Sequence, residues 1–190
     1  IYPDTSILNE QVLITEKIDG SNLSRIYDYE NSVFMGFASR NQILNVVVFN
    51  GTSLEPLKKY DESILKLIQE IKNGRDFSNV GKIIVVGEYF GKEWFVFGLL
   101  MVNQNGVKEH RYLDMELYEL FTRCGFKLPK LFFTGILRNG LTQVKQEMND
   151  QMEGVVITNF SFERQFNYKF KVGLFDERPL EKAKILDGKA

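Results

Sequence analysis

Turn signals cut the apolar residues of this chain into short runs, and that spacing constrains the fold more than any other feature. Val12 to Lys17 alternates apolar and polar residues and is followed by Asp19-Gly20, a turn pair. Leu23 to Tyr29 and Val33 to Ala38 read as the next two strands, parted by the polar Glu30-Asn31-Ser32. Lys82 to Tyr89 and Trp94 to Val102 are β-rich and split at Gly91, with Asn103-Gln104-Asn105-Gly106 closing the second. Leu128 to Leu137 reads as strand after Pro129, and Val155 to Thr158 and Tyr168 to Val172 are late strands. Helical spacing is confined to a few places. Asp61 to Lys72 carries Ile64, Leu65, Leu67, Ile68 and Ile71 on one face, with Asp61 placed to cap it and Asn73-Gly74 to end it. Asp114 to Cys124 stops at Gly125, Leu141 to Met148 is short and polar, and Pro179 to Leu186 is expected to form a last helix. Ile43 to Phe49 fits either a strand or a substrate-facing loop. Strands without regular βαβ alternation mean an α+β fold with mainly antiparallel sheets, and disfavour a doubly wound nucleotide-binding fold.

Composition narrows the chemistry. With 190 residues, 44% of them hydrophobic, the chain can build its own core as one domain spanning 1–190. Lys and Arg total 24 against 25 for Asp and Glu, so any nucleic-acid site must be a local basic patch. A single cysteine, Cys124, excludes an internal disulfide and a multi-cysteine zinc site, and a single histidine, His110, excludes a His-rich metal site. A metal here needs oxygen ligands and phosphates, which favours Mg²⁺ or Mn²⁺. Gly87 to Lys92 reads GEYFGK, one residue short of a phosphate-binding P-loop and followed by Glu93 instead of Ser or Thr. No apolar run approaches the length of a membrane span, so no membrane partner is expected, and reduced cysteine usage favours an intracellular setting.

The segment Glu16-Lys17-Ile18-Asp19-Gly20-Ser21-Asn22 puts a lysine at a strand end beside a tight turn. A lysine attacks only as the neutral amine, and nearby cations or desolvation favour that form. Lys169 and Lys171 are two positions apart, a spacing that sets both on one face of a strand, with Phe170 on the other. Such a pair also suits phosphate. Further along stand Ser39-Arg40, Gly87-Glu88-Tyr89, Phe95-Val96-Phe97 and Met152-Glu153-Gly154. Taken singly, each has an ordinary explanation: a solvated turn lysine, a strand-end carboxylate, a core aromatic, a basic edge strand. Their joint appearance in this order is far harder to obtain by chance.

The ordered set resembles the covalent nucleotidyltransferases, the superfamily of RNA ligases, DNA ligases and mRNA capping enzymes. EKIDGSN is similar to their first motif, GEYFG to the third, FVFG to the aromatic motif after it, EGVVI to the fourth and KFK to the fifth. A lysine motif ending in Ser-Asn is nearest the RNA ligase branch that seals nicks in duplex-like RNA, including RNA-editing ligases. The resemblance implies a ligase adenylation fold, its antiparallel sheets flanked by helices, with a nucleotide groove between the sheets. It also implies a three-step reaction. Lys17 attacks the α-phosphate of ATP to give lysyl-AMP, AMP passes to an RNA 5′-phosphate, and a 3′-hydroxyl displaces AMP to seal the strand. On the same basis Arg40 and Glu88 hold the ribose hydroxyls and Phe97 stacks on adenine. Glu16 lies against the adenine edge, and Asn22 near the phosphates. Glu153 holds Mg²⁺ or Mn²⁺, and Lys169 and Lys171 neutralise the α-phosphate. The rival readings are a DNA ligase, a GTP-dependent capping guanylyltransferase, or a non-catalytic nucleotide- or RNA-binding module.

Two departures qualify the resemblance. Gly98 follows Phe97 where related RNA ligases often carry an acidic residue. Only 18 residues follow Val172, so the C-terminal domain usual in the family is expected to lie outside this chain, in cis. His110 reads as a surface histidine and Cys124 as a core residue, while Arg164, Tyr168 and Lys171 offer a small basic, aromatic patch equally suited to solvent or RNA.

Overall fold

The computed structural model describes residues 8–40, 42–44, 47–149, 151–159, 167–171 and 184–186, the last two segments by their backbone. The first half of the chain forms β1 (Gln11–Lys17), β2 (Ser21–Asp28), β3 (Val33–Ala38), β4 (Ile43–Leu44), β5 (Val48–Phe49) and β6 (Thr52–Ser53). A 3₁₀ helix (Glu55–Tyr60) then leads into α1 (Asp61–Lys72). There follow β7 (Val80–Phe90), β8 (Glu93–Asn103), β9 (Lys108–Tyr112), α2 (Met115–Cys124) and β10 (Leu131–Ile136). The chain continues through α3 (Leu137–Glu147), β11 (Gly154–Asn159), β12 (Asn167–Lys171) and β13 (Lys184–Leu186). These elements divide into two compact units, the first comprising Ile1–Asp19, Tyr112–Glu116 and Pro129–Ala190, the second Gly20–Arg111 and Leu117–Leu128.

The first unit holds a five-stranded antiparallel sheet in the order β10-β1-β11-β12-β13. Alternation along β1 and β11 turns Val12, Ile14, Val155 and Ile157 to one face, where they pack with Phe132, Leu137 and Val144. The helix α3 contributes Leu137 and Val144 to this core, and Gly140 lets it settle close to its neighbours. A Cβ at Gly140 would sit 2.2 Å from the Phe133 ring, so only glycine allows the ring to lie against the helix backbone. The opposite face of the sheet carries Leu13, Thr15 and Lys17, the first two also buried.

The second unit holds a six-stranded antiparallel sheet in the order β4-β3-β2-β7-β8-β9. The long hairpin β7–β8 turns at Gly91-Lys92, both at positive φ (58° and 65°), the tight geometry that follows the twist of its strands. One sheet face bears Leu23, Arg25, Val85, Trp94, Val96 and Leu99, all buried. Trp94 meets Tyr60 and Phe126 there, with ring centroids 5.7 Å and 6.2 Å away. Arg25 is buried in that face at 4% exposure, with its guanidinium over Phe34 and Phe37 and doubly hydrogen-bonded to the Asp61 carboxylate at 2.8 Å.

That ion pair corrects one expectation. Asp61 does not cap α1: its N-cap position is Tyr60, and no side chain caps the helix. The preceding 3₁₀ helix supplies Lys58 with its carbonyl for the Asp61 N–H, which leaves the carboxylate free to serve Arg25. Two further boundaries differ. The helix expected over Leu141 to Met148 starts at Leu137, since Gly140 is a packing socket there and does not break it. Lys184–Leu186, expected to end a last helix, pairs as a strand with Asn167–Lys169, where ladder bonds to a sheet edge outweigh local helical preference; residues 172–183 lie outside the described part. Replacing Asp61 by alanine would leave the Arg25 cation buried without its partner and is expected to cost about 3 kcal/mol of stability in urea unfolding; a loss below about 0.5 kcal/mol would show the pair is dispensable.

Candidate active site

In the first unit the sheet register brings together residues expected to act on phosphate. Lys17, the last residue of β1, stands opposite Gly154 on β11, so that Glu153 arrives beside it. The Lys17 ammonium is ion-paired with the Glu153 carboxylate, and both side chains are 17% exposed. On its other side Gly154 pairs with Lys171 of β12. Lys17, Gly154 and Lys171 thus form one cross-strand row, its outer positions two strand spacings apart, about 10 Å, with glycine placing no side chain between them. Thr15, Val156 and Lys169 form the next row on the same face. The side chains of Lys169 and Lys171 lie outside the described part, as does Arg164. Glu16 points the other way from Lys17; its backbone N–H donates to the Lys130 carbonyl at 2.8 Å.

In the second unit the same logic gathers the residues expected to hold a nucleoside. Asn22 on β2 pairs with Glu88 on β7, and Glu88 with Phe95 on β8, so the three share one row and one face. Phe97 follows on that face at a β-bulge: Val86 pairs with Gly98 and Gly87 with Val96, which leaves Phe97 as the extra residue. The bulge reverses the strand's alternation, so Trp94 and Val96 are buried before it and Leu99 and Met101 after it, while Phe95 and Phe97 remain half-buried. Position 98 has room: a Cβ there would make only ordinary contacts, 3.6 Å from the Arg111 carbonyl. Arg40 is exposed and stands beyond the end of β3, in the turn closed by the Ser39 N–H donating to the Gln42 carbonyl at 2.9 Å. Because Ala38 pairs with Ser24, Arg40 lies at the Asn22 end of the sheet but off its ladder. None of the described units carries the full residue set: Glu16, Lys17, Glu153, Lys169 and Lys171 belong to the first, and Asn22, Arg40, Glu88 and Phe97 to the second.

One neighbour of this face was not anticipated. Of Ile43 to Phe49 the described residues include β4 and β5, and β5 pairs with β6 in a small hairpin turning at Asn50-Gly51, both at positive φ. The Asn-Gly pair is the strongest short hairpin signal a sequence offers, and it marks this one. Phe49 lies edge-on to Tyr89 at 6.1 Å, and the Asn50 amide donates to the Ser21 hydroxyl at 3.3 Å. The hairpin is thereby fixed to residues adjoining Glu88 and Asn22. Cys124 is buried as expected, with burial pushing its thiol pKa up and away from thiolate, and His110 is on the surface. Among the described residues no group of three or more His, Cys, Asp or Glu gathers. A divalent ion held here would rely on Glu153 together with phosphate oxygens and water, as Mg²⁺ commonly does.

Two antiparallel sheets with helices are a fold shared with solved RNA ligases. A Naegleria gruberi RNA ligase mutant solved with ATP and manganese superposes with a TM-score of 0.55 at 13% identity, over 91% of this chain and 53% of that one. The same enzyme with pyrophosphate gives 0.55 at 15% identity, over 87% and 50%. A mutant with AMP and manganese gives 0.53 at 14%, over 85% and 50%. At such identities the likeness is one of fold, and the chain spans about half the length of these structures. The RNA ligase family model matches residues 10–172, and this chain belongs to that family. No curated protein matches it significantly.

The turn after Lys17 yields a direct test. A Cβ on Gly20 would stand 2.3 Å from the Tyr89 carbonyl oxygen, a backbone atom that cannot swing aside. Gly20→Ala is expected to lower stability by about 1–3 kcal/mol and to speed amide exchange at Ser21 to Leu23; unchanged exchange there would show that the close approach is not required.

Proposed function

We propose that this chain is the adenylyltransferase part of an ATP-dependent RNA ligase, with Lys17 as its nucleophile. The observation that carries the reading is the strand register that sets Lys17 beside Glu153 and in one row with Lys171. The Naegleria gruberi structures that share this fold contain ATP, AMP, pyrophosphate and manganese, which supports ATP and a divalent metal for this chain too.

The reaction begins when the Lys17 amine, released from Glu153 and freed of its proton, attacks the α-phosphorus of ATP. A P–N bond forms, the bond to the bridging oxygen breaks, and pyrophosphate leaves. An RNA 5′-phosphate oxygen then attacks the adenylyl phosphorus and returns the amine to Lys17, and a 3′-hydroxyl attacks the activated 5′-phosphate as AMP departs. Glu153 would hold a Mg²⁺ or Mn²⁺ ion that neutralises charge building on the phosphate. Lys169 and Lys171 add cationic charge along the same sheet face, where fixed charge stabilises the pentavalent transition state without reorganisation. On the second unit, Glu88 accepts from ribose hydroxyls, Arg40 donates to them, and Phe97 offers adenine a flat apolar surface. Asn22, in one row with Glu88, lies towards the phosphates. Sealing of RNA ends, and a C-terminal domain that aids it, belong to the whole protein.

Incubation with radiolabelled ATP or GTP and Mg²⁺ separates adenylylation from capping chemistry and from a non-catalytic module. ATP is expected to label the protein, Lys17→Met to abolish labelling, and Glu153→Ala to slow it at least about 100-fold. Labelling from GTP alone would assign the chain to capping chemistry, and undiminished labelling of the Lys17 variant would remove that residue from the mechanism.

A further inference from the structure

Trp94 is the only tryptophan in the chain and is fully buried, at 0% exposure. Its indole N–H donates to the Leu23 carbonyl at 2.8 Å. Leu23 belongs to β2 and Trp94 to β8, strands that are not neighbours, since β7 lies between them. The indole crosses beneath the intervening strand at Gly87, where a Cβ would approach its Nε1 to 2.5 Å and its Cδ1 to 3.0 Å. Position 87 must therefore lack a side chain for the bond to exist. Tyr60 and Phe126 hold the indole from below, and those two rings stack on each other at 5.9 Å.

The bond spans the sheet at a place where its ladder is interrupted. The register shift between Val86 and Gly87 interrupts the β7–β8 pairing, and a bulge locally loosens and bends a strand pair. On the opposite face, over the same few residues, stand Asn22, Glu88, Phe95 and Phe97. We infer that Trp94 is a positioning residue for the nucleotide: its indole fixes the strand bearing Asn22 to the strand bearing Phe95 and Phe97, and so sets the spacing of these groups on either side of Glu88. This inference rests on the proposal that this face receives the nucleoside of ATP. It goes further in assigning the geometry of the face to one buried hydrogen bond that no substrate touches.

Two replacements isolate that bond. Trp94→Phe keeps an aromatic ring against Tyr60 and Phe126 but removes the donor. Incorporation of 3-benzothienylalanine at position 94 keeps the two-ring shape and exchanges only the N–H for sulfur. Lysyl-AMP formation by the whole chain is followed against ATP concentration, beside urea unfolding of each protein. Both replacements are expected to raise the KM for ATP about three- to tenfold, the loss of one modest hydrogen bond, with the saturating rate and the reactive fraction within about twofold of the parent. An unchanged KM in both, or a reduced reactive fraction at unchanged KM, would overturn the inference while leaving the ligase reading intact, because the second pattern is that of a merely structural residue. If the parent protein binds and reacts with ATP and the benzothienyl protein alone is unaffected, the donor plays no part and the inference fails. Absence of lysyl-AMP in the parent would overturn the proposed function and this inference with it.

Discussion

The pairing of β1 with β11 is the constraint from which the placement of the first unit's candidate residues follows. It fixes Lys17 opposite Gly154 and thereby brings the Glu153 carboxylate to the lysine, and the continuation into β12 sets Lys171 in the same row. A slip of one residue would turn Lys17 to the side of β11 that carries Val155 and Ile157, an apolar core with no place for an ammonium, and would turn Val12 and Ile14 out of that core. The hydrophobic alternation of β1 and β11 therefore does more than bury surface. It locks the register, and the register sets Lys17 beside Glu153.

In the proposed function the second unit meets a different demand, that of holding a flat base and a polar sugar on a sheet surface. Its sheet keeps one face apolar and commits the other to Asn22, Glu88, Phe95 and Phe97. The bulge at Phe97 lets successive aromatic positions stay on the half-exposed face while Leu99 and Met101 return to the core. Glycines at positions 20 and 87 permit backbone and indole to approach where any side chain would collide. Both glycines sit inside segments that resemble family motifs, EKIDGSN and GEYFG, and the steric reason for each is visible without reference to the family.

Much of this was legible in the sequence because it is local. The strands β1 to β3, the β7–β8 hairpin and the helices α1 and α2 follow from alternation, helical spacing and the stop residues Gly91 and Gly125. The candidate site residues could be listed because their motifs stand in an order that resembles a known family. What escaped depends on partners distant in sequence. Asp61 looks like a helix cap until Arg25, 36 positions away, claims its carboxylate. The start of α3 at Leu137 depends on Gly140, where the Phe133 ring takes the space of a side chain. Lys184–Leu186 has no local reason to be a strand, and acquires one only from β12. The hairpin at Asn50-Gly51 is the exception, since its signal was local and strong.

The central claim is that one lysine, delivered by strand register to a carboxylate, becomes covalently joined to adenylate. Tandem mass spectrometry of peptides from the protein after incubation with ATP and Mg²⁺ or Mn²⁺ tests it most directly. The account predicts an adenylyl group on Lys17 and on no other residue. An adenylyl group found on another lysine with Lys17 unmodified, or a folded protein that acquires none, would contradict it.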